Sequence, residues 1–152
     1  MPEAVFDHDR LDVYRLAVDY PADSYHVAEG WSGLRRHARD QWLRAAQSIP
    51  LNIAEGNGKR SLNDRARFLD IAGGSALECA AIQDVLVASD GMNAGVSVAM
   101  KQKRQRIVAM LTRMTIQFGG ISEAPGNYLF EGEHEHEHEH EREGAGDKGT
   151  NQ

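Results

Sequence analysis

The chain has almost no sulfur chemistry to offer. Cys79 is its one cysteine, so no disulfide can form within it, and a small secreted scaffold held by staples is excluded. Aromatic residues are scarce at 7%, so the core must be mainly aliphatic. Four prolines and 15 glycines exclude collagen and Pro-rich linkers. Long apolar runs are also missing. The longest uncharged stretches, such as 45–54 and 91–100, are ten residues long, about half of the ~20 that a membrane-spanning helix needs. The start, from Met1 to Asp7, has neither a basic region nor an apolar one, so it does not read as a signal peptide. The expectation is a cytoplasmic protein with no membrane partner. At 152 residues, with 41% hydrophobic and 26% charged, the chain fits one soluble domain.

The formal charge of −6 is unevenly placed. Residues 131–152 hold eight acids and two bases, which accounts for all of it, and residues 1–130 carry 15 of each sign. The body is therefore neutral, and a local basic face remains open to a nucleic acid. The organisation follows the same division. Residues 1–120 form the expected domain and residues 121–152 a disordered acidic tail. Between Glu133 and Glu143 the tail alternates His and Glu before closing on Arg142 and Glu143. That run has no apolar residue, so it cannot offset the entropy cost of ordering.

The body reads as helices. Phe6, Val13, Ala17 and Tyr20 recur at helical spacing, and Pro21 predicts a kink or a restart because an interior proline removes a hydrogen bond. Gly30 marks the first turn. Leu34, Ala38, Trp42, Ala45, Ile49 and Ile53 line a second helix, with Pro50 inside it. Gly56-Asn57-Gly58 is expected to end it through a left-handed cap. Ser61 is a suitable N-cap for a third helix, whose stripe is Phe68, Ala72, Ser75, Ala76, Cys79, Ile82 and Leu86. Gly73 and Gly74 each cost ~1 kcal/mol relative to alanine in a helix, and they make most sense if another backbone approaches closely. After the turn at Asp90-Gly91-Met92-Asn93, Val96, Met100, Ile107, Met110, Leu111, Met114 and Phe118 line a fourth helix. Lys101, Lys103, Arg104, Arg106 and Arg113 lie on its other face. The fold class is all-α, an up-down-up-down four-helix bundle.

No enzyme motif stands out: there is no P-loop, no Gly-x-Ser-x-Gly and no Cys-x-x-Cys. Gly56-Asn57-Gly58-Lys59-Arg60-Ser61 lacks the spacing and the preceding strand of a phosphate loop. A di-metal bundle core needs Glu-x-x-His pairs, and none of His8, His26 and His37 has a glutamate three positions before it. The chain is read as a non-enzyme without a cofactor. Three basic groups stand out: Arg35, Arg36 and Arg39; Lys59, Arg60, Arg65 and Arg67; and those of helix four. An ordinary solvated face is one reading. Phosphate contact is the other, with Lys59, Arg60, Arg65 and Arg67 as the first choice for RNA and Arg35, Arg36 and Arg39 as the second. In the tail, His134, His136, His138 and His140 could bind Zn, Ni or Cu weakly, or belong to a solubilising segment or a purification tag.

One segment is more specific. It runs Arg44-Ala45-Ala46-Gln47-Ser48-Ile49-Pro50-Leu51-Asn52-Ile53-Ala54-Glu55-Gly56, then Lys59-Arg60-Ser61, then Arg67-Phe68-Leu69-Asp70-Ile71-Ala72-Gly73-Gly74-Ser75-Ala76-Leu77-Glu78. This pattern resembles the four-helix bundle family encoded by intervening sequences of bacterial 23S ribosomal RNA genes, closely over residues 44–78 and loosely over 6–118. The resemblance implies a relation to the accessory variability determinant of diversity-generating retroelements, a pentameric barrel that binds a reverse transcriptase and its template RNA through basic residues. It thus implies a homo-oligomer, most plainly a pentamer, and an adaptor for RNA or an RNA-processing protein. The alternatives are an interaction module without nucleic acid, and a metal-handling bundle through the tail. From the residues alone, Arg44, Ser48, Pro50, Asn52, Glu55 and Gly56 read as structural. Ser48, Asn52 and Gly56 share a helix face, Asn52 is expected to satisfy carbonyls freed by Pro50, and Glu55 to pair with Arg44, Arg60 or a neighbouring subunit. An intersubunit contact and a ligand site are the competing readings.

Overall fold

A computed structural model describes residues 11–119. Phe6 on the first predicted stripe, and the tail with His134, His136, His138 and His140, lie outside the described residues. Four helices follow one another: α1 Asp12–Ala28, α2 Arg36–Asn57, α3 Leu62–Ala88 and α4 Ala94–Gly119, with a 3-10 turn at Gly33–Arg35 leading into α2. Each helix packs on two others, in the cyclic order α1, α2, α3, α4, and across the diagonal the Tyr20 side chain of α1 reaches Gln83 of α3. Links of a few residues join the helices, so neighbours run antiparallel. No strand occurs among the described residues.

The core follows the spacing read from the sequence. Val13, Ala17 and Tyr20 of α1, Trp42, Ala45, Ile49 and Ile53 of α2, Ala72, Ala76, Cys79 and Leu86 of α3, and Met100, Ile107 and Leu111 of α4 are all buried. Trp31 stacks on Trp42 with ring centroids 5.8 Å apart. Ser61 caps α3, its Oγ accepting from the Asp64 amide at 3.3 Å, and the Asn93 carboxamide accepts from the amides of Gly95 and Val96 at the start of α4.

Several local expectations are corrected. Pro21 neither breaks nor restarts α1, which runs through it; the Ser24 hydroxyl donates to the Tyr20 carbonyl at 2.9 Å in the turn that follows. Leu34 is fully exposed in the 3-10 turn, because α2 starts two residues later. Val96 is also exposed. Gly56 and Gly58 are not left-handed: the positive φ angles belong to Gly30, Gly33 and Asp90. Gly56 serves packing instead, since a Cβ there would stand 2.8 Å from the Phe68 Cβ. Gly73 and Gly74 face open space, with nothing within 4 Å of an added Cβ, so no other helix among the described residues approaches them. Phe68, assigned to the core stripe, is only half-buried, and Leu69 takes the buried position.

α3 differs from the other helices in having two apolar faces. Ala72, Ser75, Ala76, Cys79, Gln83 and Leu86 point inward, while Ile71, Gly74, Leu77, Ala81 and Val85 recur at steps of three and four on the exposed side. By length and composition the helix could cross a membrane, with a mean hydropathy of 1.4 over its most apolar stretch, of which only 28% is buried here. No long uninterrupted apolar run marks it in the sequence, because Glu78 and Asp84 punctuate the stretch.

Candidate nucleic-acid interface

The seven basic residues singled out from the sequence do not form one patch. Arg35, Arg36 and Arg39 sit where α2 begins, and Lys59, Arg60, Arg65 and Arg67 where it ends. A helix rises 1.5 Å per residue, so the two groups stand about 30 Å apart.

At the first end two of the three arginines are occupied. The Arg35 guanidinium donates to the carbonyls of Ser89 and Asp90, at 3.4 and 3.1 Å. It thereby satisfies carbonyls at the C-terminal end of α3 that have no intrahelical partner. A Cβ at Gly91 would stand 2.8 Å from Arg35 Nε, so Gly91 makes room for this latch. Arg39 donates to the Trp31 carbonyl at 2.5 Å and to the Asp40 carboxylate at 2.9 Å. Arg36 is exposed.

The other end gathers four cations on one turn. Arg65 is half-buried, and its Nε donates to the Lys59 carbonyl at 2.7 Å, which ties the turn to the first turn of α3. Lys59 meets Glu55 at 3.9 Å and Arg67 meets Asp64 at 4.0 Å. These are exposed pairs at the outer limit of contact, a geometry worth little in water. Both cations also lie over the Phe68 ring, Lys59 Nζ and Arg67 Cζ each 5.0 Å from its centroid. Arg60 is exposed. This end therefore presents positive charge that a phosphate can displace from weak partners.

The basic residues of α4 are different again. Lys101 pairs with Asp84, and Lys103 pairs with Asp23 at 2.6 Å. Arg104 is not on the outer face as expected: it is buried, and its Nε has no hydrogen-bond partner. Arg104 borders a polar layer that crosses the bundle. Trp42 Nε1 donates to the Tyr20 hydroxyl at 3.2 Å, Tyr20 donates to Gln83 Oε1 at 2.5 Å, and Gln83 Nε2 donates to the carbonyl and hydroxyl of Ser97. Burial holds the Tyr20 phenol well above its usual range, and burial pushes the Cys79 thiol up to about 12, both countered in part by the Arg104 charge. Both groups are neutral at physiological pH.

The motif residues of α2 join it to α3. Ser48 and Ser75 share a hydroxyl hydrogen bond of 2.8 Å, Ser75 donates to the Ile71 carbonyl at 3.1 Å, and Asn52 Nδ2 donates to both the carbonyl and hydroxyl of Ser48. Proline at position 50 frees the carbonyl four residues earlier, that of Ala46, so Asn52 serves a different carbonyl from the one expected. Glu55 meets Lys59 rather than Arg44 or Arg60. Phe68 and Gly56 are the interface residues that the sequence reading missed. The adjacency of Arg67 and Phe68 was visible, but the approach of Lys59 to the ring was not.

Known proteins fit this architecture. The family described as 23S rRNA-intervening sequence protein matches residues 9–113. A crystal structure of a protein of unknown function from the S23 ribosomal protein family of Bacteroides thetaiotaomicron VPI-5482 superposes with a TM-score of 0.61 at 19% identity, covering 68% of this chain and 97% of that one. Comparison with curated proteins gives no match.

Proposed function

Because the chain belongs to the 23S rRNA-intervening sequence protein family, we propose that it acts as a non-enzymatic, self-associating adaptor that binds RNA phosphates at the turn between α2 and α3. The observation that carries this reading is the gathering of Lys59, Arg60, Arg65 and Arg67 on one turn, where Lys59 and Arg67 meet carboxylates only at 3.9 and 4.0 Å and Arg60 is exposed. Each phosphate neutralised on a single strand adds ~0.7 to the slope of log affinity against log salt. Replacing all four residues by glutamine should therefore lower the slope by up to about 3. Fluorescence anisotropy with a labelled 20-nucleotide RNA single strand, titrated from low to high salt, reads this out. A wild-type protein that does not bind the strand at low salt refutes the proposal.

Self-association is supported by the outer face of α3. Ile71, Leu77 and Val85 are 43%, 44% and 64% exposed, and open glycines lie beside them. A second copy docked there would cover apolar area that α1, α2 and α4 leave bare, and a ring of copies would multiply a modest basic patch. A ring requires that this face meet an unlike face of the next copy, and a pentamer is the assembly proposed. Light scattering that reports a 16.8 kDa particle at micromolar concentration would rule out the assembly.

A further inference from the structure

We infer that Phe68 is a positioning residue of the RNA interface: its ring holds Lys59 and Arg67 together so that they engage neighbouring phosphates of one strand. This rests on the RNA reading above and adds a device to it. The chain of causes starts at Gly56. Only a residue without a Cβ lets the last turn of α2 pack against Phe68, since an added Cβ would stand 2.8 Å from the Phe68 Cβ and 3.4 Å from the Arg65 carbonyl. That contact seats the half-buried ring beside the turn. The ring then attracts a cation from each side of the turn in sequence, Lys59 before Ser61 and Arg67 after it, each 5.0 Å from the centroid.

The geometry matters because both side chains are long and otherwise held only by exposed pairs. Lys59 Nζ and Arg67 Cζ can be no more than about 10 Å apart, roughly one Debye length at 0.1 M salt. Two like charges in that span repel, and the successive phosphates of a strand relieve the repulsion by lying across both. A cation over a ring keeps its other side open to a phosphate oxygen, so ring contact and phosphate contact are compatible. Ordering long side chains costs affinity when it happens on binding. Here the ring orders them beforehand.

The test uses the full chain, the same labelled 20-nucleotide RNA, and a cycle of variants whose folding is checked by thermal melting. Phe68→Leu should weaken binding roughly three- to ten-fold. It should have no effect in a protein already carrying Lys59→Gln and Arg67→Gln. Phe68→Trp, a better face for a cation, should match or exceed the wild type. An equal loss from Phe68→Leu in both backgrounds would mean that the ring serves packing alone and would overturn the inference while leaving the RNA reading intact. A loss with Phe68→Trp as large as with Phe68→Leu would overturn it as well. Wild-type protein that ignores the RNA at low salt overturns both.

Discussion

At the end of the bundle where α1 meets α2, Arg35 reaches across to the last carbonyls of α3 and Gly91 clears its path. At the opposite end, Lys59 and Arg67 lean on an aromatic ring and on carboxylates near 4 Å. The residue types are alike and the chemistry is opposed. A guanidinium that bonds carbonyls of a distant segment is part of the fold, because it ties the turn after α3 to the start of α2. Cations in exposed pairs contribute little to the fold and remain available to an anion. Basic clusters that look equivalent in a sequence are therefore sorted by what their side chains already touch.

The glycines break this comparison most directly. Gly56 is crowded by the Phe68 Cβ, which cannot swing away. Gly56→Ala should destabilise the bundle by about 1–3 kcal/mol through overpacking, and it should weaken RNA binding by displacing the ring. Gly73→Ala and Gly74→Ala meet nothing, so each should stabilise the isolated helix bundle by up to about 1 kcal/mol while disturbing assembly, if a second copy packs there. Urea denaturation, run with light scattering, separates these effects. A Gly56→Ala protein as stable as the wild type would show that Phe68 is not seated by α2.

Arg35→Gln gives the next largest effect. It should cost less than about 1 kcal/mol, because the carbonyls it bonds are exposed and water replaces the lost hydrogen bonds, and leave the affinity and salt slope for RNA unchanged. The four-residue glutamine variant at the other end should show the reverse, with a large change in slope. Loss of RNA binding in Arg35→Gln would erase the distinction between the two ends.

Much of the bundle is legible in the sequence, and the reasons why the rest is not are specific. Helix spacing placed Trp42, Ile49, Ile53, Ala72, Cys79, Ile107 and Leu111 in the core, where they lie, because helical burial repeats locally. Ser61 was legible as a cap for the same reason. Gly56 was misread because its need for a small residue comes from Phe68, on the next helix, rather than from its own φ angle. Arg35 finds its partners more than fifty positions away. Arg104 lies in step with Met100, Ile107 and Leu111 on the inner face of α4, but its charge argued for solvent and the polar layer beside it was not visible in the sequence. The outward stripe of α3 is interrupted by Glu78 and Asp84, so it shows as a periodicity and not as an apolar run.

The smallest expected effect concerns an acid close to the cation-bearing end. Asp70 lies three positions after Arg67, and burial raises its pKa above the ordinary carboxylate value, countered in part by a hydrogen bond from Thr115. A raised folded pKa means that the native protein holds the proton more tightly than the unfolded chain does. Stability from this group is therefore greatest below the unfolded pKa of ~3.9 and declines as pH rises through the folded value. Asp70→Asn removes that decline and keeps an oxygen to accept from Thr115. The variant should melt slightly above the wild type at pH 7, and the difference should vanish near pH 3. It should also raise RNA affinity slightly, because one negative charge leaves the neighbourhood of Arg67 and surface charges still interact within about 8–10 Å at physiological salt. Asp40→Asn at the opposite end, beside Arg39, is the control and should leave RNA affinity unchanged. Equal gains in affinity from both variants would mean that the strand responds to net charge alone, and that the two ends of the bundle are electrostatically equivalent to it.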